Sequence, residues 1–248
     1  MASPREAFSV PALSLCPNSK AAVHCDQCRV RSLSICGALE SGELSELDRL
    51  SRPLSLGARE TMFEQDELAE SVFNITSGSA RLYRLLPDGR RQIVGFALPG
   101  DFLGLALTER NTFSADALTP LTACQFSRNA FSDFLDTKPH LLRKLHSLAS
   151  HELSLAQEQM VILGRRTAEE KVAAFLIGLR KRWARLSTSS SVTIPLPMTR
   201  QDIGDFLGLT VETVSRMLTR LAREKAILIV PDGVRLLDVA RIEGLAEM

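Results

Sequence analysis

The chain has 248 residues, 45% of them hydrophobic, and a formal net charge of +1. That length holds two compact domains, and no apolar run is long enough to span a membrane. No basic stretch, apolar segment and small-residue cleavage site occur in series to mark export, so a cytoplasmic protein is expected.

Five cysteines in such a setting suit thiol or metal chemistry better than a disulfide framework. The small net charge hides a division. Residues 37–110 carry twelve acidic and eight basic side chains, whereas residues 165–225 carry twelve basic and six acidic ones. The C-terminal part has the cationic bias of a phosphate-binding module, although a solvated basic face would look the same.

Residues 1–23 are rich in Ser, Pro and Ala without periodicity, as expected of a flexible N-terminus. His24-Cys25-Asp26-Gln27-Cys28 and then Cys36 form a C-x2-C-x7-C arc. Its three soft thiolates can converge on zinc, copper(I) or an iron-sulfur cluster, and need a fourth donor, for which Cys16 and Cys124 are available. The C-x2-C could otherwise be incidental, or a redox dithiol, but the strand-to-helix context of such a dithiol is missing. Ser41, Glu43, Leu44, Leu47 and Leu50 then trace a short amphipathic helix.

Between Leu54 and Ser127 the pattern changes to short runs broken by turn residues. Strands are expected at Val72–Ile75, Ala80–Leu86, Gln92–Leu98 and Thr122–Phe126, with Pro87-Asp88-Gly89 as a turn, giving an antiparallel barrel or sandwich. Gly100, Asp101 and Gly104 mark a tight corner. A short helix is expected at Arg128–Phe134.

From Pro139 to about Arg166 the sequence reads as one long helix. Leu142, His146, Ala149, Leu153, Ala156, Met160 and Leu163 recur at steps of four and three, the seam of a two-stranded coiled coil. Leu141, Leu148, Leu155 and Ile162 form a second row that can face the helix's own chain. The seam can then face a second copy, in a homodimer; the plainer alternative is an internal helix of one core.

Ala168–Leu186 continues as helix, with Val172, Phe175, Leu176 and Leu179 on one side. A polar loop at Ser187–Ser191 and a short strand at Val192–Leu196 follow. Thr199 can then cap a helix through Ile203, Phe206 and Leu207, Gly208 supplies a turn, and Thr210 caps a second helix running to about Glu224. This is helix-turn-helix spacing, which also occurs as a plain packing unit.

On the second helix Val214, Met217, Leu218 and Leu221 face inward, leaving Glu212, Ser215, Arg216 and Thr219 on the outer face. Arg216 matches the paired acceptors of guanine, Glu212 can accept from cytosine, and Ser215 can meet a base edge or methyl group. Thr199, Arg200, Thr213 and Arg220 are placed for phosphates, so double-stranded DNA is the expected partner. Leu228–Val230 and Val234–Leu237, joined at Pro231-Asp232-Gly233, add the hairpin of a winged variant.

The order of these parts, with Met198-Thr199-Arg200-Gln201-Asp202-Ile203-Gly204 and Gly208-Leu209-Thr210-Val211-Glu212-Thr213-Val214-Ser215-Arg216, closely resembles the CRP/FNR family of bacterial transcription regulators from about residue 24 to 240. The cysteines resemble those of its FNR branch. That resemblance implies an α+β fold, with a cyclic-nucleotide-binding-like antiparallel β-barrel in residues 24–136, a dimerisation helix in 137–166 and a winged helix-turn-helix in 167–248. It implies a 4Fe-4S cluster on Cys25, Cys28, Cys36 and Cys124, with Cys16 spare, and oxygen-responsive regulation without enzymatic activity. It further implies reading of TTGAT-type half-sites by Glu212, Ser215 and Arg216, and contact with RNA polymerase.

The chain departs from the family where cyclic nucleotides bind. Gly104-Leu105-Ala106 and Phe113-Ser114-Ala115 stand where a ribose-binding glutamate and a phosphate-binding arginine are expected, so no cyclic nucleotide is expected as the signal. The x7 spacing is also longer than the x5 of some members. On the seam, Ala156 stands where oxygen-gated members are expected to keep an acidic residue.

Overall fold

The computed structural model describes residues 25, 28–105, 108–186 and 193–247. The readings made for residues 1–23, Cys16, His24, Asp26, Gln27, Ala106, the loop at 187–191 and Val192 lie outside the described residues.

Two 3-10 turns, Arg31–Leu33 and Ile35–Ala38, lead into α1 (Ser41–Leu50), where Glu43 accepts from the Glu40 amide at 3.0 Å. Eight strands follow: β1 (Ser51–Leu56), β2 (Thr61–Phe63), β3 (Ser71–Ser77), β4 (Ala80–Leu85), β5 (Arg91–Ala97), β6 (Phe102–Leu103), β7 (Ser114–Ala117) and β8 (Leu121–Ser127). They form two antiparallel four-stranded sheets, ordered β1-β8-β3-β6 and β2-β7-β4-β5. Of the barrel or sandwich expected, the two sheets make the sandwich form and do not close into a barrel. After β5 the chain turns at Gly100, whose φ of +94° suits glycine, and β6 then pairs with the opposite sheet.

Phe73, Ile75, Leu103, Leu121 and Ala123 fill the space between the sheets with Ala80, Ala97 and Ala117 of the facing sheet. Strand alternation sends Val72, Asn74, Cys124 and Phe126 to the opposite face of the first sheet. That outer face is covered by the Ile35–Ala38 turn, α1, α2 (Arg128–Asp136) and the start of the long helix, in a cluster containing Ile35, Leu44, Leu47, Phe131 and Leu141.

The long helix, α3 (Pro139–Arg165), begins with Pro139, whose fixed φ suits the first turn. Of its second apolar row, Leu141 and Ile162 are buried and Leu148 is half-buried against the chain's own core, whereas Leu155 is exposed. The middle of the helix stands clear of the sandwich. On the seam row Leu142, Leu153, Met160 and Leu163 are all exposed in the single chain, Met160 at 68%.

α4 (Ala168–Leu186), β9 (Thr193–Pro195), α5 (Arg200–Leu207), α6 (Val211–Arg223), β10 (Ile227–Val230), β11 (Gly233–Leu236) and α7 (Val239–Glu247) complete the chain. Their core joins Val172, Leu176, Ile203, Leu207, Val214, Leu221 and Ile242 to Ile93, Phe96 and Leu98 of the sandwich. The two halves thus share apolar surface. Gly233 opens β11 instead of lying in the turn, and the β10-β11-β9 sheet makes the wing.

Candidate functional site

The helix-turn-helix is built by two caps and one glycine. The Thr199 hydroxyl accepts from the Asp202 amide at 3.1 Å while the Asp202 carboxylate accepts from the Thr199 amide at 2.9 Å, satisfying two otherwise unpaired donors at the start of α5. Gly208 ends α5 with φ +63°, and the Thr210 hydroxyl accepts from the Thr213 amide at 3.2 Å to start α6. Each such cap is worth about 1 kcal/mol.

Val214, Leu218 and Leu221 bury one face of α6, which leaves Glu212, Arg216 and Thr219 exposed and Ser215 half-buried on the other. Glu212 sits in the first turn, where its own amide and the Thr210 hydroxyl hold its carboxyl below the usual range. Arg200 is exposed at the start of α5. Three of the side chains expected at phosphates are already engaged, Thr213 through a hydroxyl contact with Thr210 at 3.1 Å. Thr199 is tied to Asp202, and Arg220 is ion-paired with Glu224 at 3.0 Å and Glu169 at 3.2 Å.

Of the cysteines named from the sequence, Cys25, Cys28, Cys36 and Cys124 line a single cavity of about 310 Å³, solvent-facing space included. No disulfide joins the described cysteines. Three come from the arc, whose turns pack it onto the outer face of the first sheet. The fourth, Cys124 on β8, comes up from that sheet between Pro53 of β1 and Asn74 of β3 in the strand register.

Burial pushes the Cys124 thiol up to about 12, and the nearby sulfurs of Cys36 and Cys28 push the same way. Burial also raises Cys25, whose Sγ–H donates to the Asp48 carboxylate at 3.0 Å, and burial raises Cys36 against the opposing Ser34 hydrogen bond. These groups are protonated thiols at neutral pH, and a metal centre must displace their protons to bind.

Among the described residues no three His, Cys, Asp or Glu donors are gathered as tightly as one metal ion requires. Sulfurs bound at the corners of a polynuclear cluster stand further apart than sulfurs bound to one ion. Four thiols around one cavity are the donor set that either a 4Fe-4S cluster or a zinc ion takes.

Three polar residues of this pocket, Asp48, Ser51 and Asn74, escaped sequence reasoning. Asp48 follows Leu47 and stands four residues after Leu44, a half-buried polar group on the apolar side of α1. Asn74 is 2% exposed, with its Nδ2 3.9 Å from the Cys36 sulfur and its Oδ1 without a partner among the described residues. An unpaired buried acceptor costs about 1–3 kcal/mol. A polar residue midway along an apolar strand is its only sequence signal.

At the cyclic-nucleotide position Phe113 packs against Phe63, ring centroids 5.7 Å apart, where a phosphate would need a cation. Leu105 packs instead against the apolar cluster beneath the cysteine pocket.

The profile for bacterial regulatory proteins of the crp family matches residues 196–227, and that for the cyclic nucleotide-binding domain matches residues 53–138. The chain is 56% identical over 219 residues to the transcriptional activatory protein AadR of Rhodopseudomonas palustris, covering 88% of this chain and 91% of that protein. It is 52% identical over 222 residues to the nitrogen fixation regulation protein FixK of Bradyrhizobium diazoefficiens, covering 90% and 93%. The solved structure of FixK2 from Bradyrhizobium japonicum superposes with a TM-score of 0.73 at 35% identity, over 79% of this chain and 96% of that one.

Proposed function

From the premise that this chain belongs to the CRP/FNR family of bacterial transcription regulators, DNA-binding proteins and not enzymes, we propose a homodimeric activator controlled by oxygen through a 4Fe-4S cluster. Cys25, Cys28, Cys36 and Cys124 would hold that cluster. The observation that carries this reading is the convergence of all four thiols on one cavity. When bound, such a cluster supplies an oxygen-labile redox centre.

The chain's own residues give the pocket its reach. The Ile35–Ala38 turn, which contains Cys36, packs directly against α3, and Leu145 and Leu148 of that helix join the cluster around Ile35 and Leu39. Order in the arc therefore supports the first half of the helix that carries the exposed seam. On its other side the arc presses Leu33 onto Gly100, where an added Cβ would lie 2.9 Å from the leucine Cβ. The neighbouring Asp101 is ion-paired with Arg182 of α4. Ordering of the arc is thus felt both at the seam and at the DNA-binding half.

Pairing of two α3 helices sets two α6 helices about one DNA turn apart, which calls for a palindromic target. Arg216 reads guanine, and Glu212 and Ser215 its neighbours, in TTGAT-type half-sites. Loss of pairing removes the avidity of two linked half-sites. No cyclic nucleotide is needed. Leu85, Leu86 and Val94, exposed around the Pro87–Gly89 turn, offer an apolar surface for RNA polymerase. The protein acts in the cytoplasm.

Anaerobic purification tests the reading. Brown protein with iron and acid-labile sulfide, a cluster lost in Cys124→Ala but kept in Cys16→Ala, and tighter binding to one palindromic site without air are expected. Colourless protein with stoichiometric zinc would leave a DNA-binding regulator without this signal.

A further inference from the structure

We propose that Asn74 is a positioning residue for the sulfur-bound centre, its amide donating to the Cys36 sulfur once that sulfur is a metal-bound thiolate. The inference rests on the cluster reading above and adds to it a residue that is not itself a ligand.

Three observations converge on this side chain. Asn74 lies opposite Cys124 in the β3–β8 register, and cross-strand partners project to the same face, so the amide emerges beside one thiol. Its Nδ2 is 3.9 Å from the sulfur of a second, Cys36. It lines the cavity that all four thiols share, and its buried Oδ1 has no partner among the described residues. Val72, Phe126, Ile35 and Leu47 make up the apolar surroundings, and Asp48 and Ser51 are the other polar side chains of the cavity. Packing alone would place a leucine here, because an apolar residue of similar volume leaves no polar atom unsatisfied.

The chemistry of the pocket explains an amide. A bound thiolate carries negative charge and can only accept, so it is stabilised by an N–H donor. Asparagine carries that donor, whereas aspartate offers only acceptors when ionised and would repel the thiolates. Asp48 already places one carboxylate at this cavity, next to Cys25. Asn74 is therefore the uncharged counterpart that faces Cys36 and Cys124. Hydrogen bonds to ligating sulfurs withdraw charge from an iron-sulfur centre and raise its reduction potential, and partners of this kind typically alter metal affinity by about 10–100-fold.

The test uses the full chain, reconstituted without air, as wild type, Asn74→Leu and Asn74→Asp. Three quantities are measured: iron and sulfide per chain, the rate at which an iron chelator bleaches the visible absorbance anaerobically, and the reduction potential. Both variants should bleach about tenfold faster or more and show a more negative potential. In the cluster-free form Asn74→Leu should melt at a higher temperature than wild type, since the orphaned acceptor is gone. A merely structural asparagine would give the opposite sign in the melt and leave the potential unmoved. Should one variant fail to fold, the other decides the question. Variants that load and match wild type in bleaching and potential would overturn the role of Asn74 alone. A wild type that takes up no iron and sulfide would overturn the cluster reading, and this inference with it.

Discussion

Arg91 of β5 donates to Asp202 of α5 at 2.7 Å, joining the sandwich directly to the first helix of the helix-turn-helix. The same guanidinium reaches Asp205 at 2.7 Å, while Arg81 of β4 bridges Asp202 at 3.2 Å and Asp116 of β7 at 2.8 Å. Asp202 is 1% exposed and also caps α5 through Thr199. One buried carboxylate therefore fixes the start of a DNA-binding helix and its attachment to the rest of the chain.

Arg91→Ala removes one of the two cations that face Asp202. Breaking a buried pair outright costs about 3–5 kcal/mol because the partner is left charged and unsolvated. Arg81 remains, so a loss of about 1–3 kcal/mol is expected in denaturant unfolding. Arg84→Ala, on the exposed end of β4, should stay within about 0.5 kcal/mol of wild type. Equal effects from the two substitutions would deny the clamp any energetic role.

Acid should release the same contact. Burial alone would raise the Asp202 carboxyl, but the Thr199 hydrogen bonds and the charges of Arg91 and Arg81 outweigh it and hold the group below the ordinary carboxylate range. A carboxyl lowered on folding contributes stability that is complete above its unfolded value, about 3.9, and that is lost as pH falls through the folded value. Asp202→Asn keeps an acceptor for the cap but has no charge to lose. The gap in stability between wild type and Asp202→Asn should be widest near pH 7 and close below about pH 4. A gap that stays constant with pH would place the effect elsewhere.

On DNA, Arg216 and Arg220 should separate. Arg216 is exposed on the outer face of α6, and Arg216→Ala should cost about 1–3 kcal/mol on a TTGAT-type site and relax discrimination at the guanine. Arg220 is held by Glu169 and Glu224, so a phosphate would have to compete with two carboxylates for it. Arg220→Ala should weaken binding less than Arg200→Ala and change the salt slope by less than one phosphate contact. Binding isotherms at several salt concentrations measure both.

The parts that could be read in the sequence are those with a period or a strict chemical requirement. The 3.6-residue repeat of α3 and α4, the threonine caps of α5 and α6, and thiols at metal-ligand spacing all declare themselves locally. Strand β7 does not, because Ser114-Ala115-Asp116-Ala117 is small and buried at every position, with no alternation to detect. Strand β1 contains Pro53, which argues against a strand unless it lies at an edge, as β1 does beside β8 alone. Helix α7 carries Val239, Ile242 and Leu245 at steps of three, a signal short enough to pass over. Asn74 and the Arg91–Asp202 contact had no local signal of this strength. Their meaning depends on strand register and on a contact between residues 111 positions apart, neither of which a periodic pattern encodes.

The seam of α3 gives the last expectation. Leu142, Leu153, Met160 and Leu163 are exposed in one chain, and Ala156 lies among them on the same row. Two such rows related by a two-fold axis would bury each other, so each residue near the axis meets its own copy. An aspartate at position 156 would face a second aspartate and repel it, whereas alanine adds no charge to bury. The cluster-free wild-type protein should therefore keep a larger dimer fraction than Ala156→Asp, which should be monomeric without its cluster. Leu153→Asp should give monomers whether or not the cysteines are loaded, because it replaces apolar contact in the middle of the seam. Sedimentation velocity with and without chelator measures all three. A cluster-free wild type that is wholly monomeric would place Ala156 off the seam, and the register of the pairing would have to be redrawn.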